Sequence, residues 1–375
     1  MRVLHIITGL GRGGAETLLY QFCKYDKEFE HIVVSLSGSQ DYEKKLKQID
    51  IQVHTLNFSN SKINFLGLIK LYKVIRQVKP DIIQTWMIHA DMIGGLLARF
   101  AGIKNIFWGV HHTNLIEGSS KKMTMLIIKI NSILSYFIPR KIIYCAKNSK
   151  EVQESIGFQS SKGVVINNGY NIDTFSNSSF LNNKFLNEFN FPVDTFVIGH
   201  VGSYSPLKDQ ISLIEAFSIL KQKQFNFEVV LVGTNLDNNN HDLVSLLDKK
   251  DLNNHVHLLG RRDDIPTIMN GIDIFVLSSI SEAFPNVLNE AMACATPCVT
   301  TDVGDAAIIV GNTGWVVPKK NPSALMESIL EAVDEKKFHN IAWLQRKDAC
   351  RKRIVENFSL EEMIKKYKKV WLSND

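Results

Sequence analysis

One alternation, run through twice, limits the fold of this chain more than any other feature. In the first half, short β-branched runs at residues 3–7, 31–36, 52–56, 81–86, 105–111 and 141–146 read as buried strands. Stretches of helical spacing lie between them, such as Phe65, Leu66, Ile69, Tyr72 and Ile75, or residues 92–99. A strand reaches a parallel neighbour only through a crossover of roughly a dozen residues or more, so this order predicts a parallel sheet with helices on both faces. The pattern then restarts, with strands at 196–201, 227–232, 255–259, 273–277 and 297–301 and helices around 211–221, 243–249 and 287–294. The expected fold class is α/β, with two Rossmann-like parallel-sheet domains facing a cleft, one over residues 1–178 and one over 191–355. Residues 167–190, rich in Asn, Ser and Phe around Asn168-Gly169, show little periodicity and read as the linker. Residues 356–375 read as a final helix. Ser359 and Glu362 make a capping box, and Leu360, Met363, Ile364, Tyr367 and Trp371 form one apolar stripe that must be buried.

A length of 375 residues suits two domains and buries enough apolar surface to need no disulfide or metal staple. The five cysteines are scattered without a C-x-x-C, so structural thiols in a reducing compartment are expected. Cys294 and Cys298 stand four apart, but Pro297 breaks any helix that would align them as metal ligands. No signal-peptide pattern opens the chain, and the longest uncharged stretches run 13 residues (195–207 and 306–318), too short to span a bilayer. A cytoplasmic protein is expected. Residues 1–178 carry 22 Lys and Arg against 13 Asp and Glu, so with +5 for the whole chain the remainder is net −4. A basic half beside an acidic half fits a domain that meets an anionic surface, or a drift in solvated lysines.

Gly9-Leu10-Gly11-Arg12-Gly13-Gly14 follows the first strand and opens a helix, which brings backbone N–H groups close to an anion or makes a tight turn. A dinucleotide site would need an acid at the end of the second strand, and Ser35-Leu36-Ser37-Gly38 supplies none. Nicotinamide chemistry is set aside on that ground.

The segment Ser281-Glu282-Ala283-Phe284-Pro285-Asn286-Val287-Leu288-Asn289-Glu290 holds two glutamates at a strand-to-helix junction, with Pro285 suited to the first helical turn. Carboxylates there accept hydrogen bonds from a polyol such as a sugar or ribose. One helix end does not readily set two acids on opposite sides of a bond, as a hydrolase requires. These residues resemble the E-x7-E motif of the retaining glycosyltransferases of family 4, which have the GT-B fold. Nearly the whole chain is similar: the loop from Gly9 to Glu16, the segment from Val165 to Phe175, Lys208, Asp302-Val303-Gly304-Asp305, Gly311-Asn312-Thr313-Gly314 and the last helix, which in that fold crosses back to the N-terminal domain.

The resemblance implies a retaining hexosyltransferase that moves a sugar from a nucleotide-sugar, with UDP-sugar as the expectation. Glu290 would hold the ribose hydroxyls and Glu282 the sugar hydroxyls. Backbone groups of Phe284, Pro285, Asn286, Val287 and Leu288 would lie against sugar and phosphate, with Gly13, Gly14, Gly202 and Ser203 lining the donor site. Lys208 would meet the diphosphate, and no cofactor or metal is expected because no D-x-D motif presents itself. The family usually has an arginine where Ser203 stands; Arg261 or Arg262 is expected to replace it. His111 or His112 would line the cleft, and the family pattern favours His112 as a catalytic contact. No residue looks like a covalent nucleophile, so the acceptor would attack the face from which the nucleotide leaves.

Residues 119–141 pair basic with apolar side chains and read as a helix lying on an anionic membrane, or as one packed on the sheet. The expected acceptor is accordingly a glycan or polyprenyl-diphosphate-linked precursor of capsule, O-antigen or exopolysaccharide, met by a peripheral enzyme at the inner membrane face. Nucleic acid is not an expected partner, since the basic charge is spread and no recognition motif appears. A 2-epimerase-like enzyme of the same fold and a non-catalytic partner subunit are the competing readings.

Overall fold

A computed structural model describes residues 1–11, 13–38, 41–58, 65–111, 122–192, 195–223 and 225–373. The chain divides into two compact units, Met1–Gly169 with Leu360–Asp375, and Tyr170–Ser359.

Seven strands form the first sheet: β1 (Arg2–Ile7), β2 (Glu30–Ser35), β3 (Gln52–Thr55), β4 (Ile82–Trp86), β5 (Ile106–Val110), β6 (Lys141–Tyr144) and β7 (Gly163–Val165). All pair in parallel in the order β3-β2-β1-β4-β5-β6-β7. Helices α1 (Gly14–Tyr25), α2 (Asp41–Lys47), α3 (Phe65–Val78), α4 (Ile88–Phe100), α5 (Lys122–Leu134) and α6 (Lys147–Ser155) accompany them. Alternation along β1 sends Leu4 and Ile6 into one core with α3, α4 and α5, and Val3 and Ile7 into the other with α1 and the chain's last helix.

The second sheet holds β8 (Phe196–Val201), β9 (Phe227–Val232), β10 (Val256–Gly260), β11 (Ile274–Leu277), β12 (Cys298–Thr301) and β13 (Trp315–Val317), parallel in the order β10-β9-β8-β11-β12-β13. Its helices are α7 (Ser179–Phe189), α8 (Gln210–Lys221), α9 (His241–Lys249), α10 (Ile265–Gly271), α11 (Asn286–Ala293), α12 (Ala306–Val310), α13 (Pro322–Phe338) and α14 (Asn340–Asn357). The last helix, α15 (Leu360–Leu372), buries its predicted stripe in the first unit, where Tyr367 and Trp371 stand edge-on or tilted to Phe22 at 5.4 and 5.2 Å. In each sheet the strand order reverses beside the first strand, between β1 and β4 and between β8 and β11. Such a switch point is where parallel sheets bind ligands, outside the carboxyl ends.

Two expectations need correcting, and two short strands were not anticipated. Residues 167–190 are not plain linker, because α7 occupies the second half of that range. Ser178 Oγ caps it and Asn190, in the left-handed region, ends it. Phe185 is fully buried, and a Cβ at Gly271 would come within 2.0 Å of its ring. That helix depends on a glycine some eighty residues away, which local periodicity does not contain. The edge strands β7 and β13, three residues each, are too short to register as alternation. The basic helix expected over 119–141 is described from Lys122 and ends at Leu134; Lys141 already belongs to β6, and 119–121 lie outside the described residues.

Candidate functional site

The acidic motif stands where β11 turns into α11, at the switch point of the second sheet. The strand runs into Ser278 and Ser279, both buried. Ser278 Oγ donates to the carbonyl of Lys208 at 2.8 Å, and Ile280 N–H donates to that of Leu207 at 2.9 Å, which ties the Lys208 turn to the strand end. Lys208 Nζ then meets Glu282 Oε1 at 2.5 Å, and Ser279 Oγ donates to the same oxygen at 2.7 Å. The two charged side chains are 24% and 15% exposed, so the pair is held firmly yet reachable from solvent. Glu282 Oε2 takes no hydrogen bond among the described residues.

The following loop braces this one. Gly304 sits at φ +53°, where a Cβ would come 2.4 Å from the carbonyl of Ala283 and 2.5 Å from that of Glu282. Asp305 N–H donates to the Ala283 carbonyl at 3.1 Å. The Asp302-Val303-Gly304-Asp305 segment thus presses backbone on backbone behind the glutamate, an approach only glycine permits.

Pro285 is the N-cap of α11 and Asn286 its first residue, so the proline stands one place earlier than expected. Phe284, Pro285 and Leu288 turn inward, with Phe284 tilted on Phe358 at 5.8 Å, and offer a ligand only their backbone. Asn286 and Val287 are partly exposed, and the Tyr170 hydroxyl donates to Asn286 Oδ1. Glu290 lies on the helix with no donor reaching its carboxyl among the described residues. Burial pushes that carboxyl up to about 7.

Gly202 N–H is already bonded to the Val232 carbonyl, whereas Ser203 is exposed and its carbonyl accepts from Gln210 Nε2 at 3.0 Å. The two arginines divide. Arg262 is gripped by Glu188 at 2.5 and 3.0 Å and by Asp264 at 2.8 and 2.9 Å, contacts that hold both carboxyls low. Arg261 is exposed and makes no ion pair among the described residues. Of the two, Arg261 is the one open to a ligand.

In the first unit, Gly13 caps α1 and Gly14 begins it. The Glu16 carboxyl folds back onto this end, so close that a Cβ on Gly13 would lie 2.4 Å from its Oε2, and it accepts its own backbone N–H. An anion seeking those N–H groups has to displace Glu16. His111 stacks on Trp86 with ring centroids 5.1 Å apart. His112 lies outside the described residues.

The sequence does not announce a second polar cluster beneath β1. Trp86 Nε1 donates to His5 Nδ1 at 3.2 Å, His5 Nε2 lies 2.9 Å from His31 Nδ1, and His31 Nε2 stands 3.2 Å from Asp26 Oδ2. Lys368 of α15 closes the line, 2.7 Å from Asp26 Oδ1. With Cys23, the two histidines are close enough to suit a metal ion. An indole N–H can only donate, however, so His5 Nδ1 must accept and His5 Nε2 must carry the proton shared with His31. A metal on those nitrogens would expel that proton and turn His5 Nδ1–H against the indole, so the donor set does not fit one. Burial, reinforced by His31, holds His5 well below its usual range. Burial works to raise Asp26, but His31, Lys368 and the Glu28 N–H outweigh it and hold the carboxyl at about 2.

Sequence reasoning missed Ser279, Gly304, Tyr170 and Glu16 as shapers of these sites. Gly304, Tyr170 and Glu16 lay inside segments that carried the resemblance but had no role assigned to them, and Ser279 lay in none of them.

Known proteins agree with this architecture. Residues 12–174 match Glycosyltransferase Family 4 and residues 182–343 match Glycosyl transferases group 1, two matches that run side by side through most of the chain. An Escherichia coli UDP-Gal:alpha-D-GlcNAc-diphosphoundecaprenol alpha-1,3-galactosyltransferase is 25% identical over 82% of this chain and 79% of its own. The N,N'-diacetylbacillosaminyl-diphospho-undecaprenol alpha-1,3-N-acetylgalactosaminyltransferase of Campylobacter jejuni is 28% identical over 92% and 93%. Among solved structures, HepE of Anabaena in complex with UDP-glucose superposes with a TM-score of 0.83 at 21% identity, covering 98% of each chain. With two doubly wound parallel sheets, an acidic motif at the second switch point and family matches to both halves, the chain belongs to the group 1 glycosyltransferases of family 4, on the GT-B fold.

Proposed function

We propose that the protein transfers a sugar from a UDP-sugar to a polyprenyl-diphosphate-linked glycan, with retention at the anomeric carbon, in building a bacterial-type surface polysaccharide such as capsule, O-antigen or exopolysaccharide. The observation that carries this reading is the Lys208–Glu282–Ser279 cluster at the start of α11. The relatives named above act on diphosphoundecaprenol-linked sugars, and a capsular polysaccharide glycosyltransferase of Staphylococcus aureus is 26% identical over 89% of the chain.

The hard part of the chemistry is negative charge gathering on a diphosphate as it leaves. Lys208, Arg261 and the positive end of the α11 dipole meet that charge, and no metal ion is required. Glu282 keeps Ser279 on Oε1 and offers Oε2 to a sugar hydroxyl, while Glu290 accepts from the ribose. His112 contacts the donor sugar. The acceptor attacks the face the nucleotide leaves, and the departing phosphate takes its proton.

The test is a thermal-shift screen against nucleotide sugars, followed by transfer to a polyprenyl-diphosphate sugar in EDTA with the product anomer read by NMR. Lys208→Ala is expected to lower kcat/KM by about 10²–10³. No stabilisation by any nucleotide sugar, or an inverted product, overturns the reading.

A further inference from the structure

Helix α5 has two apolar faces. Ile127 and Ile128 turn onto the sheet. Met123, Leu126, Ile130 and Ile133, then Phe137 past its end, turn to solvent at alternating spacings of three and four, which keep them in one line. Met123, Ile133 and Phe137 are 64%, 65% and 74% exposed. α3 and α4 lie on the same side of the sheet and continue the pattern: Phe65 and Leu66 are 73% and 71% exposed, and Phe100 is 76% exposed. A surface helix ordinarily hides its large apolar side chains; here three neighbouring helices hold such side chains out.

The exposed charges on the three helices share one sign. α3, α4 and α5 carry six Lys and Arg against one acid, Asp91, which is buried. Lys73 and Arg76 are exposed on α3, Lys129 on α5, and Arg99 beside Phe100, while α3 and α5 contain no acid.

We infer that this side of the first unit docks onto an anionic bilayer, its apolar side chains entering the headgroup boundary and its basic ones meeting lipid phosphates. It extends the expectation for residues 119–141 from one helix to three. A second copy of the chain is the competing occupant, because a three-four spacing also suits a helix–helix seam. A two-fold contact would lay the same basic surface against itself, like charge on like. An anionic bilayer answers both the apolar row and the positive rim. The inference rests on the surface of the first unit and not on the donor chemistry, so the two fail separately.

The full chain is sedimented with vesicles of phosphatidylcholine alone or with a third phosphatidylglycerol, across a salt series. Binding to the anionic vesicles is expected, weakening with salt. Met123→Glu with Ile133→Glu is expected to lower the partition coefficient at least tenfold. Lys73→Gln with Arg76→Gln lowers it roughly tenfold and flattens the salt dependence. Melting curves check the fold, and if the apolar pair unfolds the protein, the charge pair decides. No binding by the wild type, or binding untouched by the charge pair, overturns the inference. So does a dimer in analytical ultracentrifugation that the apolar pair dissociates, which assigns the face to a second copy.

Discussion

The two units each gather ionisable groups near the first strand of their sheet, and they treat them in opposite ways. In the first, Trp86, His5, His31, Asp26 and Lys368 form a line in which each nitrogen or carboxylate faces a partner, and the line joins α15 to the sheet. In the second, among the described residues, the half-buried Glu290 has no donor and Glu282 has an oxygen unclaimed, while Lys208 is shared between its glutamate and solvent. Satisfied polar burial holds a fold together, whereas unsatisfied polar burial costs stability that a ligand can return.

Breaking the line in the first unit should cost most. Asp26→Ala takes the carboxylate from His31 and leaves Lys368 to the exposed Glu28, 3.1 Å away, and about 3–5 kcal/mol of stability is expected to go, read by denaturant unfolding. The same line predicts a pH response. His5 resists protonation when folded, so stability falls as pH drops through the unfolded histidine value near 6.5, and falls further as Asp26 is titrated between about 4 and 2. The smaller effect lies in the second unit and sharpens the contrast. Arg261→Ala is expected to weaken binding of the nucleotide sugar selected by the thermal-shift screen about tenfold, while Arg262→Ala, whose guanidinium is already committed to Glu188 and Asp264, leaves it within twofold. Calorimetric titration separates the two, and equal effects would erase the distinction.

The fold was legible because buried parallel strands write themselves as β-branched runs, and β8 and β9 fall on the expected residues. The stripe of α15 was legible for the same reason, since its five apolar residues share one face. Contacts that join distant segments were not. Nothing near Phe185 says that Gly271 leaves room for its ring, and nothing near His5 says that Lys368 ends its hydrogen-bonded line. At the candidate site, Glu282, Glu290 and Lys208 stood out by motif, but the commitment of Arg262 to Glu188 needed the chain folded.

The central claim is that Glu290 is an unpaired acid kept for a ligand hydroxyl. Its native carboxyl is raised from 4.5 to about 7, so the folded state takes up a proton that the unfolded state does not, and its contribution to stability declines as pH rises from 4.5 to 7. Titrating the nucleotide sugar selected by the thermal-shift screen calorimetrically from pH 5.5 to 8.5 tests this most directly, because its diphosphate diester does not itself titrate there. Affinity is expected to rise about tenfold or more across the range. In Glu290→Gln that dependence should vanish, binding should weaken at least tenfold, and the empty protein at pH 8.5 should gain on the order of 1–2 kcal/mol. A flat wild-type profile, or a glutamine variant that binds as tightly as the parent, contradicts the account.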